Sequence, residues 1–249
     1  MNGGLVFLFF VSFFWTAQVI KNVVHVTTAG VVATWWLIPH EASGCCSRAV
    51  RDSYWRSVTT SFGSICLGSL IVALIQAARE MIRSMRDQND SLLLCIADCL
   101  IGCLERLAEY FNKWAYVYVG IYGYGFVEAS MNVLNLFQTR GWTAIIADTL
   151  VDTVLMMVSF CVGILTGLMG LAVAAAMQQG SGTLAGAFFV GLLVGFVFCS
   201  TLFGLISSGV NAVIVLFAES PAEFAANHPQ LSQEMLQSWR QAYPMEFQY

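Results

Sequence analysis

The sequence predicts an all-α fold, a polytopic bundle of transmembrane helices accompanied by amphipathic interfacial helices. Three observations carry that expectation. The 249 residues are 58% hydrophobic and 10% charged, against about 25% charged in a soluble domain. Mean hydropathy is +0.72. Four stretches, at about 5–38, 58–82, 150–177 and 184–218, are apolar for long enough to cross a bilayer, which takes about 20 residues. The net charge of −4 is small and the eleven basic residues are scattered, a pattern that excludes a nucleic-acid partner.

The first span, about 5–38, ends at Pro39, with Trp35 and Trp36 where an interfacial aromatic belt forms. No basic stretch precedes it and its apolar run is too long for a signal peptide, so it reads as a span. Gln18, Lys21, Asn22 and His25 follow one another at intervals of three, one and three, which places all four on one helical face. Trp15 extends that face at one end, and Ala29, Val32 and Trp36 extend it at the other. A helix that is otherwise apolar tolerates such a seam where it meets protein or a water-filled path. Hydrogen bonding between helices is the structural reading of these residues; a conduit is the functional one.

The second span, about 58–82, carries Thr60, Ser64 and Gly68 at every fourth position, small residues that let helices approach closely. Residues 83–140 read as an amphipathic, interfacial region. Leu92, Ile96, Leu100, Leu104 and Leu107 form an apolar stripe among Arg83, Arg86, Asp87, Asp90, Glu105, Arg106, Glu109 and Lys113. With Arg79 the segment 83–115 holds five basic residues, so the positive-inside tendency places it in the cytoplasm. Arg48, Arg51 and Arg56 in the loop 39–57 pull the other way. The run 114–127 is too short to span alone, and an interfacial or partly inserted helix is expected for 116–140, with a fifth span as the alternative.

Asp148 and Asp152 open the third span, about 150–177, which contains Gly163, Gly167 and Gly170. In the fourth, about 184–218, Ser207, Ser208, Gly209 and Asn211 mark either a bend or a tightly packed face. Residues 219–249 read as a cytoplasmic tail, mostly irregular because of Pro221, Pro229 and Pro244, with one short helix within 230–243. Helix packing is assigned to Thr60, Ser64, Gly68, Gly163 and Gly167.

Eight cysteines do not make a disulfide framework here, since Cys66, Cys161 and Cys199 lie within spans. Cys95, Cys99 and Cys103 repeat every four residues, which is not zinc-ribbon spacing. The glycines at 120, 123 and 125 do not match the dinucleotide fingerprint. Asn89-Asp-Ser91 matches the glycosylation pattern and is expected to stay unmodified on a cytoplasmic loop. No nucleophile, base and acid fall in a supporting context, so neither catalysis nor a cofactor or metal is expected.

Three blocks of sequence resemble the choline transporter-like family of plasma-membrane proteins. They are Asn22-Val-Val-His25-Val-Thr-Thr-Ala-Gly30-Val-Val-Ala-Thr34-Trp35-Trp36, Ser61-Phe-Gly63-Ser-Ile-Cys-Leu-Gly68-Ser69-Leu70-Ile71, and Asn112-Lys-Trp-Ala115-Tyr116 leading into Ile121-Tyr122-Gly123. They occur in the family's order, and their flavour is closer to the fungal and protist members. The resemblance extends over essentially the whole chain and corresponds to the C-terminal part of the family. It implies a bundle of roughly ten spans in full-length members, both termini cytoplasmic, and a large loop after the first span. A truncated product or a shortened paralogue is therefore expected.

The resemblance implies transmembrane transport of choline or a related small organic cation, in a membrane-lipid setting at the plasma membrane. The alternative is a truncated, non-transporting subunit or regulator that packs against full-length relatives or itself. Proteins hold a quaternary ammonium with aromatic faces, at about 0.5–2 kcal/mol per ring. Trp15, Gln18, Asn22, His25 and Trp36 are the candidate substrate path, and Tyr122, Tyr124 and Glu128 the candidate cation contacts.

Overall fold

The computed structural model describes residues 3–44, 47–86, 92–178 and 180–242. Among them the structure is helical and contains no strand. The helices are α1 (Gly3–Leu37), α2 (Arg48–Val58), α3 (Phe62–Arg86), α4 (Leu92–Tyr122), α5 (Phe126–Ala176), α6 (Ser181–Glu219), α7 (Pro221–Asn227) and α8 (Pro229–Ala242), with a 3-10 turn at Pro39–Ala42. Four stretches are long and apolar enough to cross a membrane: Gly4–Leu37, Phe62–Arg86, Leu150–Ala176 and Ser181–Glu219. Each lies within a few residues of its predicted span, and the chain is an integral membrane protein. The sequon at 89–91 and the side chain of Asp148 lie outside the described residues.

Two compact units form, one from Met1–Thr139 with Asn211–Tyr249, the other from Arg140–Val210. In the first, α1, α3 and α4 pack on one another and α2 lies along α1. Pairing of Asn112 with Gly68, Tyr116 with Ile65, and Arg79 with Glu105 and Asp98 shows that α4 runs antiparallel to α3 along its length. Close approach is set by glycine. A Cβ on Gly120 would stand 2.7 Å from the Val26 carbonyl and 2.8 Å from the Ala29 Cβ, so only a bare backbone lets α4 lie this near α1. The second unit is an antiparallel hairpin of the later part of α5 and the earlier part of α6. Gly163, Gly167 and Gly170 face the carbonyls of Leu192, Phe188 and Ala187, and Thr166 Oγ1 donates to the Gly191 carbonyl at 2.9 Å.

Helix α4 shows how the amphipathic stretch within residues 83–140 packs. Its stripe of Leu92, Ile96, Leu100, Leu104 and Leu107 is exposed. The polar face is turned inward: Asp98 and Asn112 are buried, and so is every residue from Trp114 to Ile121. The pattern is that of a helix whose apolar side meets lipid and whose polar side meets other helices. At about 1.5 Å per residue, the 25 residues of α3 exceed the ~30 Å hydrocarbon layer, and α4 runs beside them.

The last residues are also more ordered than the prolines suggest. Pro221 and Pro229 stand in the first turns of α7 and α8, where a missing N–H costs nothing. Around Ser207–Asn211, read from sequence as a bend or a packed face, α6 keeps its helical hydrogen-bonding pattern. Ser208, Asn211 and Ala212 are buried there, the packed-face alternative. Six cysteines among the described residues, Cys66, Cys95, Cys99, Cys103, Cys161 and Cys199, are free thiols.

Both ends of the first unit carry side-chain ties. At one end Tyr118 and Tyr122 of α4 donate to the Glu219 carboxylate, and Trp36 of α1 packs on α7. At the other, Arg86 of α3 meets Asp98 of α4 at 2.7 Å. The 83–115 segment therefore begins at the end opposite the tail, so the two expectations of a cytoplasmic location cannot both hold. Arg48, Arg51 and Arg56 lie near the tail end, while Arg79, Arg83 and Arg86 lie at the other.

Candidate functional site: a polar seam between three helices

The seam of α1 is turned onto α3 and α4, and polar side chains of both helices meet it. Asn22, buried, donates from Nδ2 to Ser69 Oγ at 2.9 Å. Ser69 Oγ lies 3.2 Å from the Tyr116 hydroxyl, which donates to the Ile65 carbonyl at 3.1 Å. Asn112 donates to the Gly68 carbonyl at 2.8 Å. His25 Nε2 lies 2.9 Å from the Lys113 carbonyl; a carbonyl only accepts, so that nitrogen carries the proton. Buried polar groups require such partners, because each unmet one costs about 1–3 kcal/mol.

Further from the tail, Gln18, Gln76 and Glu109 meet. Gln76 Nε2 donates to Glu109 Oε1 at 3.0 Å, and Gln18 Nε2 lies 3.4 Å from both Glu109 Oε1 and Gln76 Oε1. All three residues are half-buried. One turn beyond, the charges are paired. Arg79 donates to Asp98 at 3.2 Å and to Glu105, while Arg83 and Arg86 stand 3.4 and 2.7 Å from Asp98.

Trp15 donates from its indole to the Cys66 carbonyl at 3.0 Å. Trp36 is fully buried at the tail end, stacked on Phe224 with centroids 3.9 Å apart and its indole N–H donating to the Ser220 carbonyl at 3.0 Å. It belongs to a tail contact with Trp35, whose ring stacks on His228 at 4.2 Å. Tyr122 stacks on Tyr124 at 5.3 Å. The carboxylate on these tyrosines is Glu219; Glu128 lies exposed on α5 and makes no hydrogen bond among the described residues. Thr60 sits in the turn before α3, its hydroxyl on the Arg56 carbonyl at 3.2 Å. Ser64 Oγ accepts from the Phe126 N–H at 3.2 Å, and Gly68 leaves room for Phe126 and the Tyr116 hydroxyl, which a Cβ would meet at 2.5 Å.

Sequence reasoning passed over Gln76, Glu109, Asn112 and Glu219. Glu109 and Asn112 stand three residues apart on one face of α4, a second polar stripe facing the first; that spacing was the available signal. Glu219 had none, being about a hundred positions away from its tyrosines.

A bundle of long apolar helices with a polar seam between them is that of a polytopic membrane protein. Residues 2–222 match the family described as plasma-membrane choline transporter. Protein PNS1 of Mycosarcoma maydis is 33% identical over 259 aligned residues, covering 99% of this chain and 47% of that protein. Protein PNS1 of Cryptococcus neoformans is 34% identical, with 97% and 46% covered, and that of Debaryomyces hansenii 29%, with 96% and 48% covered. The chain belongs to the choline transporter-like family. It spans about half the length of these curated relatives.

Proposed function

We propose that this chain takes part in carrying choline or a related small organic cation across the plasma membrane, along the seam between α1, α3 and α4. The observation that supports it is the inward turn of Gln18, Asn22 and His25, met by Gln76 and Glu109 at one level and by Ser69 and Tyr116 at the next. Amides and hydroxyls in two tiers give a cation places to exchange its hydration shell while lipid is kept away. Trp15 and the tyrosines near Glu219, including Tyr122 and Tyr124, supply aromatic surface towards the two ends. In this reading the C-terminal helices face the cytoplasm, and the Arg79–Asp98 cluster faces outward.

Uptake of radiolabelled choline into liposomes containing the purified chain tests it. Uptake that falls several-fold on Asn22→Leu and Trp15→Ala is expected. Uptake indifferent to both substitutions would refute the path. The length relative to its relatives supports a second reading, a subunit or regulator of full-length members. Silence of the chain alone, with altered uptake by a co-expressed full-length relative, selects that reading.

A further inference from the structure

The carboxylates along α4 are treated unequally. Asp98 faces Arg79, Arg83 and Arg86, and Glu105 faces Arg79. Glu109, one turn deeper, enters no ion pair among the described residues; its partners are the carboxamides of Gln18 and Gln76. Both donors converge on Oε1 and leave Oε2 without one. Arg106, three residues before Glu109, is exposed, and Lys113, four residues after it, is half-buried and forms no ion pair with it among the described residues. A half-buried negative charge held in place by neutral donors and lacking a counter-ion is a poised receptor for a cation.

The donor set also selects among cations. A hard metal ion takes about six oxygen ligands, whereas here Gln18 and Gln76 turn N–H groups towards the carboxylate and Gln76 Oε1 faces the Gln18 amide. No cluster of three or more His, Cys, Asp or Glu suited to a metal occurs among the described residues. An organic ammonium needs no ordered ligand shell, only a nearby negative charge and apolar or aromatic surface for its methyl groups.

We infer that Glu109, oriented by Gln18 and Gln76, is the counter-charge that binds the ammonium group of the transported cation. This assignment rests on the transport reading above and names the residue that recognises charge.

Binding of choline and of its neutral carbon isostere, 3,3-dimethyl-1-butanol, to the purified full chain separates charge recognition from shape. The parent is expected to prefer choline by tenfold or more, about 1.4 kcal/mol. Glu109→Gln is expected to bring that ratio close to one while leaving affinity for the isostere unchanged. Glu234→Gln, at an exposed carboxylate on α8, serves as the control and should keep the preference. Should Glu109→Gln aggregate in gel filtration, Glu109→Asp is read instead: a several-fold loss for choline alone supports the assignment, and unchanged choline affinity overturns it. A parent that binds choline with Glu109→Gln unaltered overturns the role of Glu109 and leaves transport standing. A parent that binds no choline overturns both.

Discussion

Substituting Gly120 by alanine tests the central packing of the first unit. The added Cβ would meet the Val26 carbonyl at 2.7 Å, the Ala29 Cβ at 2.8 Å and the Gly30 nitrogen at 3.3 Å. Two of those atoms are backbone, which cannot swing aside as a side chain can. Ordinary carbon contacts begin at about 3.5 Å, so α1 and α4 must separate by several tenths of an ångström to 1 Å. A gap of 0.5–1 Å forfeits about a quarter to a half of each dispersion contact. With about 40 atom pairs at ~0.15 kcal/mol each, the loss is about 1.5–3 kcal/mol, in line with the ~1–3 kcal/mol usual for overpacking. Gly204→Ala is the matched opposite: its Cβ meets nothing within 4 Å, and replacing a mid-helix glycine gains about 0.5–1 kcal/mol. Denaturation of both variants in mixed micelles should move stability in opposite directions. Equal stability of Gly120→Ala and the parent would show that α1 and α4 do not approach in this way.

Three further outcomes are expected. Trp36→Ala removes the stack on Phe224 and the bond to Ser220, a loss of about 3–5 kcal/mol for a fully buried tryptophan. Hydrogen exchange should rise in 221–237 and stay unchanged in 163–196; unchanged protection of 221–237 would exclude the docked tail. Arg79→Gln removes the side chain shared by Asp98 and Glu105 and should lower the melting temperature at neutral pH, since it leaves a part-buried carboxylate short of its donor; an unchanged melting temperature would contradict the pairing. Finally, cysteines placed at the exposed positions Met85 and Gln233 in an otherwise cysteine-free chain should react with impermeant reagents from opposite faces of the membrane. Labelling of both from one face would refute the arrangement of α3 and α4.

The apolar spans were legible because a bilayer demands a property that hydropathy measures directly. Gln18, Asn22 and His25 follow the period of one helix and meet α3 and α4, whereas Lys21, one position before Asn22, is exposed. The packing of helix α4 was not legible, since its charges read as surface until Arg79, Arg83 and Arg86 are seen to neutralise them from α3. Glu128 is the carboxylate nearest the tyrosines in sequence, yet it is exposed on α5, and Glu219 is the one that Tyr118 and Tyr122 reach. Pairings such as Tyr118 with Glu219 depend on tertiary closure and leave no trace in local periodicity.

The carbonyls of Trp35, Trp36 and Leu37 at the close of α1 receive Asn227 and His228, residues 190–193 positions later. At ~5–20 residues per second, a ribosome needs about 10–40 s to reach them. Until then the last carbonyls of α1 are without these partners, so the close of the first helix is completed only when residues near the other end of the sequence are made.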